Sequence, residues 1–427
     1  MENAFYKTAA DIVREGYDKL PDELVSSKHL IYSSPATLSF NSPGAKGFGV
    51  KRAGLAVPES VMLLVSPGCC GRNTSLFRSS PEYKDRFFFQ LLDDTDIVTG
   101  RHLMKINDAV KEMLESLDKR PSAIMICITC VDALLGTDME RICRKVTETH
   151  SIPCVACYMY ALTREKRLSP MAHVRTSVYS LLEKQKRENR DMNILGFFTS
   201  LNDNSEIYTL LKDSGIKNIR ELARCQTFDE YKELSKANFN LVLNPEARHA
   251  ALDMQKRLSI PFIEMLRLYQ PDKIHNQYRL LKDAIGASFD DTPYYEETKK
   301  IISDFKEKHG KLNFAVGEIL NGDAIEIALM LVKEGFRVEC VFATVGELNY
   351  SFLKKLAELS PDTKIYSNLS PTMLNYAKDD VDCYIGSDCL YYFPDKPGIE
   401  WCEDTEPFGY RGVNDLFNAL DEALSRK

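Results

Sequence analysis

The chain has 427 residues, of which 44% are hydrophobic and 27% charged, and its formal net charge is -7. This composition is typical of a soluble globular protein of about three domains, and it excludes a disordered, collagen-like or low-complexity chain. It gives no indication of nucleic-acid binding, no apolar run reaches the ~18 residues of a membrane span, and the N-terminal segment is unlike a signal peptide, so we expect a cytoplasmic protein.

Short apolar runs, taken in chain order, predict strands that are buried on both faces of a sheet. They cover 61–66, 122–129, 193–200, 239–244, 313–318, 336–345 and 381–386. Because the runs are continuous rather than alternating, we expect parallel strands covered by helices. The segments between them carry apolar residues three and four positions apart, as amphipathic helices do. The sequence therefore predicts an α/β fold with three doubly wound, Rossmann-like parallel-sheet domains around a central cleft.

Breaks in this alternation predict the domain organisation. We expect an N-terminal helical segment over 1–30 and a first α/β domain over 31–190, which closes with the charged helix end EKQKRENR. A second α/β domain over 191–287 follows. A polar helical link over 288–311 then leads to a third α/β domain over 312–427.

Cysteines follow two of the predicted strands at the point where each strand ends. Cys69 and Cys70 lie between glycines in the loop SPGCCGRN, and Cys130 follows the run at 122–129. Ligands of doubly wound sheets bind beyond the carboxyl ends of the strands, and thiolates in such loops can hold an iron–sulfur cluster. The alternative is that these thiols are buried and structural, as most free cysteines are.

The other cysteines do not favour a disulfide framework or a zinc site. The chain has twelve cysteines, and disulfides are rare in the cytosol. Cys127 pairs with Cys130 in a CxxC spacing, but zinc needs four ligands and Cys127 lies in mid-strand. Cysteines in helix or strand patterns are expected to be structural, and these are Cys143, Cys225 and Cys340. The motif GxxxxGK followed by Ser or Thr is absent, so we expect no P-loop ATP site in this chain.

The order of four motifs resembles a known family. SPGCCGRN, DIVTGR, ICITCVDALLGTDME and SIPCVACYMYA follow one another as in nitrogenase component 1, the nitrogenase-like reductases and the related cofactor-assembly scaffolds. The positions that match the family motifs are Pro67, Cys70, Gly71, Asp96, Ile97, Val98, Gly100, Cys130, Leu135, Gly136 and Asp138. The segments VDCYIGSD and EPFGYRGVNDLFNAL extend the resemblance towards the C-terminus.

The resemblance implies an iron–sulfur cluster at a subunit interface. Cys70 and Cys130 are its expected thiolate ligands, and Cys69 is a candidate third ligand. Two cysteines from each of two subunits would complete a 4Fe–4S centre, so we expect pairing with a second copy or with a homologous sister subunit, in a dimer or heterotetramer. The resemblance also implies anaerobic chemistry and a separate P-loop iron–sulfur reductase that supplies electrons with ATP.

Three departures from the family pattern argue against an iron–molybdenum type cofactor. The first interface cysteine of the family falls at Asn41 or Ser42, and the residue that would hold the active-site cofactor by a thiolate falls at Asn244. The segment IEWCED has no counterpart of the C-terminal histidine ligand. The resemblance therefore implies a simpler cluster at the interface.

Three functions fit these observations. The first hypothesis is the catalytic component of an ATP-dependent two-component oxidoreductase that reduces a substrate or cofactor. The alternative is a non-catalytic scaffold for metallocluster or cofactor assembly, and a third hypothesis is a sugar- or nucleotide-binding protein with incidental cysteines.

A substrate cavity is expected between the domains, near NPEARH, GEILNG and EWCEDTEPF. His249 or Glu246 could donate or relay a proton there, unless both are solvated residues at a helix start. Arg72 and Arg101 could hold anionic groups or balance the charge of the cluster, or they could form surface ion pairs.

Overall fold

A computed structural model describes residues 3–25, 36, 53–68, 83–129, 131, 135–159, 168–403 and 405–426. The predicted cluster ligands Cys69, Cys70 and Cys130 lie outside the described residues, as does Arg72. The segment that carries Asn41 and Ser42 also lies outside them.

The strands of the described residues are numbered in chain order. They are β1 Tyr6–Thr8, β2 Val61–Ser66, β3 Phe87–Leu91, β4 Ile124–Ile128, β5 Cys154–Tyr158, β6 Glu188–Leu195, β7 Asn218–Glu221, β8 Ala237–Val242, β9 Phe262–Glu264, β10 Asn313–Val316, β11 Arg337–Phe342, β12 Lys364–Tyr366, β13 Cys383–Ile385 and β14 Gly398–Ile399.

The α-helices are numbered in the same way. They are α1 Ala9–Glu15, α2 Asp94–Val98, α3 His102–Glu115, α4 Met139–His150, α5 Pro170–Ser180, α6 Glu206–Asp213, α7 Phe228–Lys232, α8 Arg248–Leu258, α9 Pro271–Ile285, α10 Thr292–His309, α11 Ala324–Lys333, α12 Glu347–Leu359, α13 Ser387–Tyr392 and α14 Gly409–Ser425. Among the described helices, none combines the length and the apolar character needed to cross a membrane.

The chain divides into two compact units. Unit 1 comprises 1–47, 201–215 and 267–427, and unit 2 comprises 48–200 and 216–266. Unit 2 contains two four-stranded parallel sheets, with strand orders β3-β2-β4-β5 and β7-β6-β8-β9. Unit 1 contains a six-stranded sheet of order β1-β12-β11-β10-β13-β14, in which only β1 runs antiparallel to its neighbour. The predicted α/β class with parallel sheets is therefore confirmed, while the domain boundaries stay a prediction.

The continuous apolar runs arise because the central strands of unit 2 bury both faces. On one face, Leu64 of β2 and Cys127 of β4 belong to the same buried cluster as Val242 of β8. On the other face, Leu63 of β2 and Ile126 of β4 pack with residues of α3 and α4. A strand with no solvent-facing side favours apolar residues, as in VMLLV of β2. Its last residue, Ser66, is buried, and its hydroxyl donates to the Pro67 carbonyl at 3.1 Å.

Candidate functional site

Four motif segments leave from one edge of the first sheet of unit 2. We call this the first carboxyl edge, and it consists of the ends of β3, β2, β4 and β5. The strands end level with one another, because Ser66 pairs with Leu91, Val65 with Ile128, and Ile128 with Tyr158. Since neighbouring strands lie about 4.8 Å apart, the loops that begin at Pro67 and after Thr129 start side by side.

The motif DIVTGR, residues 96–101, covers the last three residues of α2 and the turn that leads into α3 beside this edge. Asp93 and Asp96 make a capping box: the Asp96 N–H donates to Asp93 Oδ1 at 2.8 Å and the Asp93 N–H donates to Asp96 Oδ2 at 3.1 Å. Asp96 is fully buried, and the Lys105 ammonium donates to its Oδ2 at 2.5 Å. This hydrogen bond holds the pKa of the Asp96 carboxyl below its usual range. The capping box and this ion pair therefore set the direction of the chain after β3. Arg101, the last residue of the motif, is exposed.

Two buried polar atoms at the first carboxyl edge have no hydrogen-bond partner within the described parts of the chain. They are the hydroxyl oxygen of Thr129, directly before Cys130, and Oδ1 of Asp96. Leaving a buried polar group unpaired costs about 1–3 kcal/mol, so native structures rarely do so. We expect their partners to be residues outside the described ranges or a group bound at this edge.

Seven of the nine described cysteines are buried, which suits them to packing rather than to ligation. Cys127 and Cys157 are fully buried in neighbouring strands, and burial raises the pKa of the Cys157 thiol well above its usual range. Burial likewise raises the pKa of Cys225 to about 11, and it raises the pKa of Cys340 well above its usual value. A protonated thiol is a poor metal ligand. Within the described ranges, no three His, Cys, Asp or Glu side chains are grouped to hold a metal ion.

The second carboxyl edge, at the ends of β6 and β8, carries the residue at which the resemblance places the thiolate ligand of a cofactor. Asn244 occupies it, and its side-chain oxygen accepts the Glu246 N–H at 3.0 Å, which begins the short 3-10 helix Pro245–Ala247. Glu246 forms an ion pair of 2.8 Å with the buried Arg175. His249 is exposed on α8. With an amide in place of a thiolate, this donor set does not fit a cofactor held by a cysteine.

The third carboxyl edge lies in unit 1, at the point where the sheet order reverses between β10 and β13. Asp388 is buried there and accepts the N–H groups of Glu318 at 2.9 Å and Ile319 at 3.2 Å. The Asn368 amide donates to the same carboxylate at 2.7 Å. Burial raises the pKa of both Asp388 and Glu318. Sequence reasoning missed this cluster, although Asp388 ends the motif VDCYIGSD.

The segments GEILNG and EWCED meet at this third edge. The Asn321 N–H donates to the Trp401 carbonyl at 2.8 Å, and the Glu403 N–H donates to the Asn321 side-chain oxygen at 2.5 Å. The Trp401 indole donates to the Tyr269 hydroxyl at 2.8 Å. The structure therefore brings together two of the three segments expected near a cavity, both of them within unit 1.

A buried glutamate on α11, Glu326, is expected to make the stability of unit 1 depend on pH. Glu326 accepts the backbone N–H of Tyr269 at 3.0 Å and the Gln270 amide at 2.9 Å, and burial raises its pKa to about 7. The pKa of Glu326 is thus higher in the folded protein than the value of about 4.5 in the unfolded chain. The contribution of Glu326 to the unfolding free energy is therefore complete below about pH 4.5 and is lost as the pH rises through about 7.

Glu326→Gln cannot ionise, so the variant should not lose this contribution. We expect the unfolding free energy of the variant, relative to the native protein, to rise by on the order of 2–3 kcal/mol between about pH 5 and pH 8. Urea unfolding of both proteins across this range measures the difference. A difference that does not change with pH would contradict the prediction.

Comparison with known proteins identifies the family of the chain and supports its fold class. A family model described as nitrogenase component 1 type oxidoreductase matches residues 46–425. The nitrogenase iron-molybdenum cofactor biosynthesis protein NifE of Sinorhizobium fredii is 23% identical over 422 residues, which cover 92% of this chain and 83% of that protein. NifE of Rippkaea orientalis is also 23% identical, over 78% of this chain and 73% of its own length. The solved structure "Nitrogenase Cp1 at pH 6.5" is similar in fold, with a TM-score of 0.70, 16% identity and 96% coverage of both chains.

Proposed function

The chain belongs to the nitrogenase component 1 type oxidoreductase family, and on this basis we propose that it is a cytoplasmic scaffold subunit on which a metallocluster or cofactor is assembled. Its own iron–sulfur cluster lies at the first carboxyl edge. Cys70 and Cys130 ligate this cluster, with Cys69 as a candidate third ligand, and a second copy or a sister subunit completes the set in a dimer or heterotetramer.

The level ends of β2 and β4 are the observation that carries the cluster proposal. The loops that bear Cys70 and Cys130 begin at paired positions, Val65 opposite Ile128, so their stems leave the sheet next to each other. The buried hydroxyl of Thr129, the residue before Cys130 in the sequence, has no hydrogen-bond partner among the described residues, and a group bound at this edge is one of the two partners that would satisfy it. When bound, an iron–sulfur cluster would supply electron transfer there, and this chain would hold it by thiolates and shield it from water.

The scaffold function is favoured over catalytic reduction, which the sequence alone placed first. Both relatives above are described as cofactor biosynthesis proteins. At the position of the cofactor thiolate, Asn244 uses its side chain to cap the 3-10 helix Pro245–Ala247. A cargo held there without a thiolate bond can leave more readily than one held by a cysteine. Release to an acceptor is what a scaffold requires and what a resident catalytic cofactor must avoid.

Reduction remains the second candidate because the family is one of oxidoreductases. In that case a separate P-loop iron–sulfur reductase would supply the electrons, since this chain has no P-loop motif of its own. The isolated chain would then not hydrolyse ATP, and substrate turnover would require the reductase and MgATP together.

A transfer experiment distinguishes the two functions. The iron-loaded protein, purified anaerobically, is mixed with a cofactor-deficient nitrogenase component 1 as acceptor, and iron is followed in both proteins. We expect the iron of the cargo to move to the acceptor, while about four iron atoms stay in the interface cluster of the scaffold. We also expect the Asn244→Cys variant to transfer it about tenfold or more slowly, because a thiolate bond holds the cargo.

Asn244→Ser is the matched control, since serine keeps a side-chain oxygen that can cap the helix but adds no thiolate. Its transfer rate should stay near that of the native protein. No transfer, combined with substrate turnover when the reductase and MgATP are added, would contradict the scaffold function and support the catalytic one.

A further inference from the structure

We propose that Arg175 forms a binding site for a small carboxylate ligand at the second carboxyl edge, and that the Glu246 carboxylate is a displaceable internal occupant of this site. The proposed site consists of Arg175 and its neighbours, all within unit 2. It does not depend on the cluster at the first carboxyl edge or on the scaffold function.

The guanidinium of Arg175 is built into the protein independently of Glu246. Its Nε donates to the Gly196 carbonyl at 2.8 Å, and its Nη1 donates to the Met171 carbonyl at 3.1 Å. The aromatic ring of Phe198 lies 4.7 Å from the guanidinium carbon, a distance at which the ring face attracts a cation. Only 6% of the Arg175 side chain is exposed. These contacts hold the cation in place whichever anion faces it.

The backbone at this edge brings the ends of β6 and β8 very close together. Gly196 follows β6 with φ +130°, and a Cβ added to it would lie 2.7 Å from the backbone nitrogen of Asn244. A side chain at this position would push the two strand ends apart. The Gly196 carbonyl that accepts the Arg175 hydrogen bond therefore belongs to a closely packed turn at the carboxyl ends of parallel strands. Doubly wound sheets bind their ligands at this end of the strands.

Glu246 is held far less firmly than the arginine that it faces. Its side chain is 43% exposed, and the ion pair of 2.8 Å joins it to Arg175 from the short 3-10 helix Pro245–Ala247. A buried guanidinium needs an anion, because removing the partner of a buried charge leaves that charge uncompensated. The half-exposed Glu246 side chain can turn into solvent, and a carboxylate from solution can then take its place.

The Glu246 carboxylate that now faces Arg175 indicates the chemical class of the ligand. Its Oε2 accepts a hydrogen bond from Nη1 of Arg175 at 2.8 Å, and such charge-assisted hydrogen bonds are stronger than neutral ones. We therefore expect a small dicarboxylate to bind through one carboxylate, with its second group directed towards solvent.

Isothermal titration of the full-length protein with succinate tests this site. Because Glu246→Gln removes the competing internal anion, we expect that variant to bind succinate at least about tenfold more tightly than the native protein. Arg175→Gln should abolish the binding. Because this variant removes a buried charge and could fail to fold, Arg175→Lys in the Glu246→Gln background is tested too, and it should bind at least about tenfold more weakly than Glu246→Gln alone.

Glu264→Gln provides the matched control at the same edge. Glu264 faces Arg248 at 3.4 Å, and both side chains of that pair are more exposed than Arg175. Its loss should leave the succinate affinity unchanged. Cys70→Ala should also leave it unchanged, so failure of the cluster proposal and failure of this one are distinguishable.

Two results would overturn the proposal. In the first, the native protein and Glu246→Gln bind succinate equally, or Glu264→Gln shows the same gain. In the second, Glu246→Gln binds sulfate as tightly as succinate, which would show that the site accepts any anion and is not built for a carboxylate.

Discussion

Alanine at Cys70 or at Cys130 is expected to remove most of the iron and the visible absorbance of the anaerobically purified protein. Thiolates are the strongest iron ligands that these two loops can offer, and losing one of a small set opens the cluster to solvent and to loss of iron. Each variant is purified in parallel with the native protein, and iron and absorbance are measured per chain.

Cysteines within helices and strands provide the controls for this experiment. Cys143 lies in α4 and Cys340 in β11, and Cys225 follows a short 3-10 helix. Alanine at any of the three should leave the iron content unchanged. If Cys130→Ala holds as much iron as the native protein, then Cys130 is not a ligand of the cluster and the proposed ligand set is wrong.

The second large effect is expected from Gly409→Ala at the start of α14. Gly409 has φ +66°, and a Cβ there would lie 1.9 Å from Oε1 of Glu206 and 2.6 Å from the Tyr278 hydroxyl. Neither neighbour can move easily. Glu206 is buried, accepts the Tyr410 N–H and the Tyr278 hydroxyl at 2.7 Å each, and so caps the helix. We expect a loss of at least about 3 kcal/mol of unfolding free energy, from backbone strain and from a broken buried hydrogen-bond network.

Thermal unfolding measured by circular dichroism tests this expectation, with a fall in midpoint of roughly 6–12 °C. Gly286→Ala is the matched control, because Gly286 has φ +63° but no atom within 4 Å of its added Cβ. It should lose only about 1 kcal/mol, which is the cost of the left-handed backbone alone. Equal losses in the two variants would show that contact with Glu206 contributes nothing.

The sequence predicted central strands better than edge strands, for a physical reason. The apolar runs of β2, β4, β8 and β10 were found because these strands are buried between two neighbours and two layers. Edge strands such as β3 and β7 were missed. In β3, Phe89 and Leu91 are exposed, and β7 has the sequence NIRE, with polar residues at three of its four positions. An edge strand has solvent-exposed positions, and polar residues can occupy them. Its local sequence pattern therefore does not distinguish it from a loop.

The candidate site was predictable where chemistry is local in sequence. Loops after β2, β3 and β4 could be placed together because parallel strands end at a common edge. The pairing of Arg175 with Glu246, or of Asp388 with Asn368, joins residues far apart in the chain. The sequence around each of these residues does not indicate which distant residue it contacts. The ion pair of Glu246 was accordingly not predicted, and its expected role as a proton donor or relay stays a prediction.

The most direct test of the central claim is the native mass of the iron-loaded protein, measured together with its iron content. We expect iron only in a species of two or more subunits, with about four iron atoms per interface cluster. The Cys70→Ala protein, measured alongside, should lack this iron. A stable monomer that retains a full cluster would contradict the account, because one chain would then supply every ligand and no interface cluster would exist.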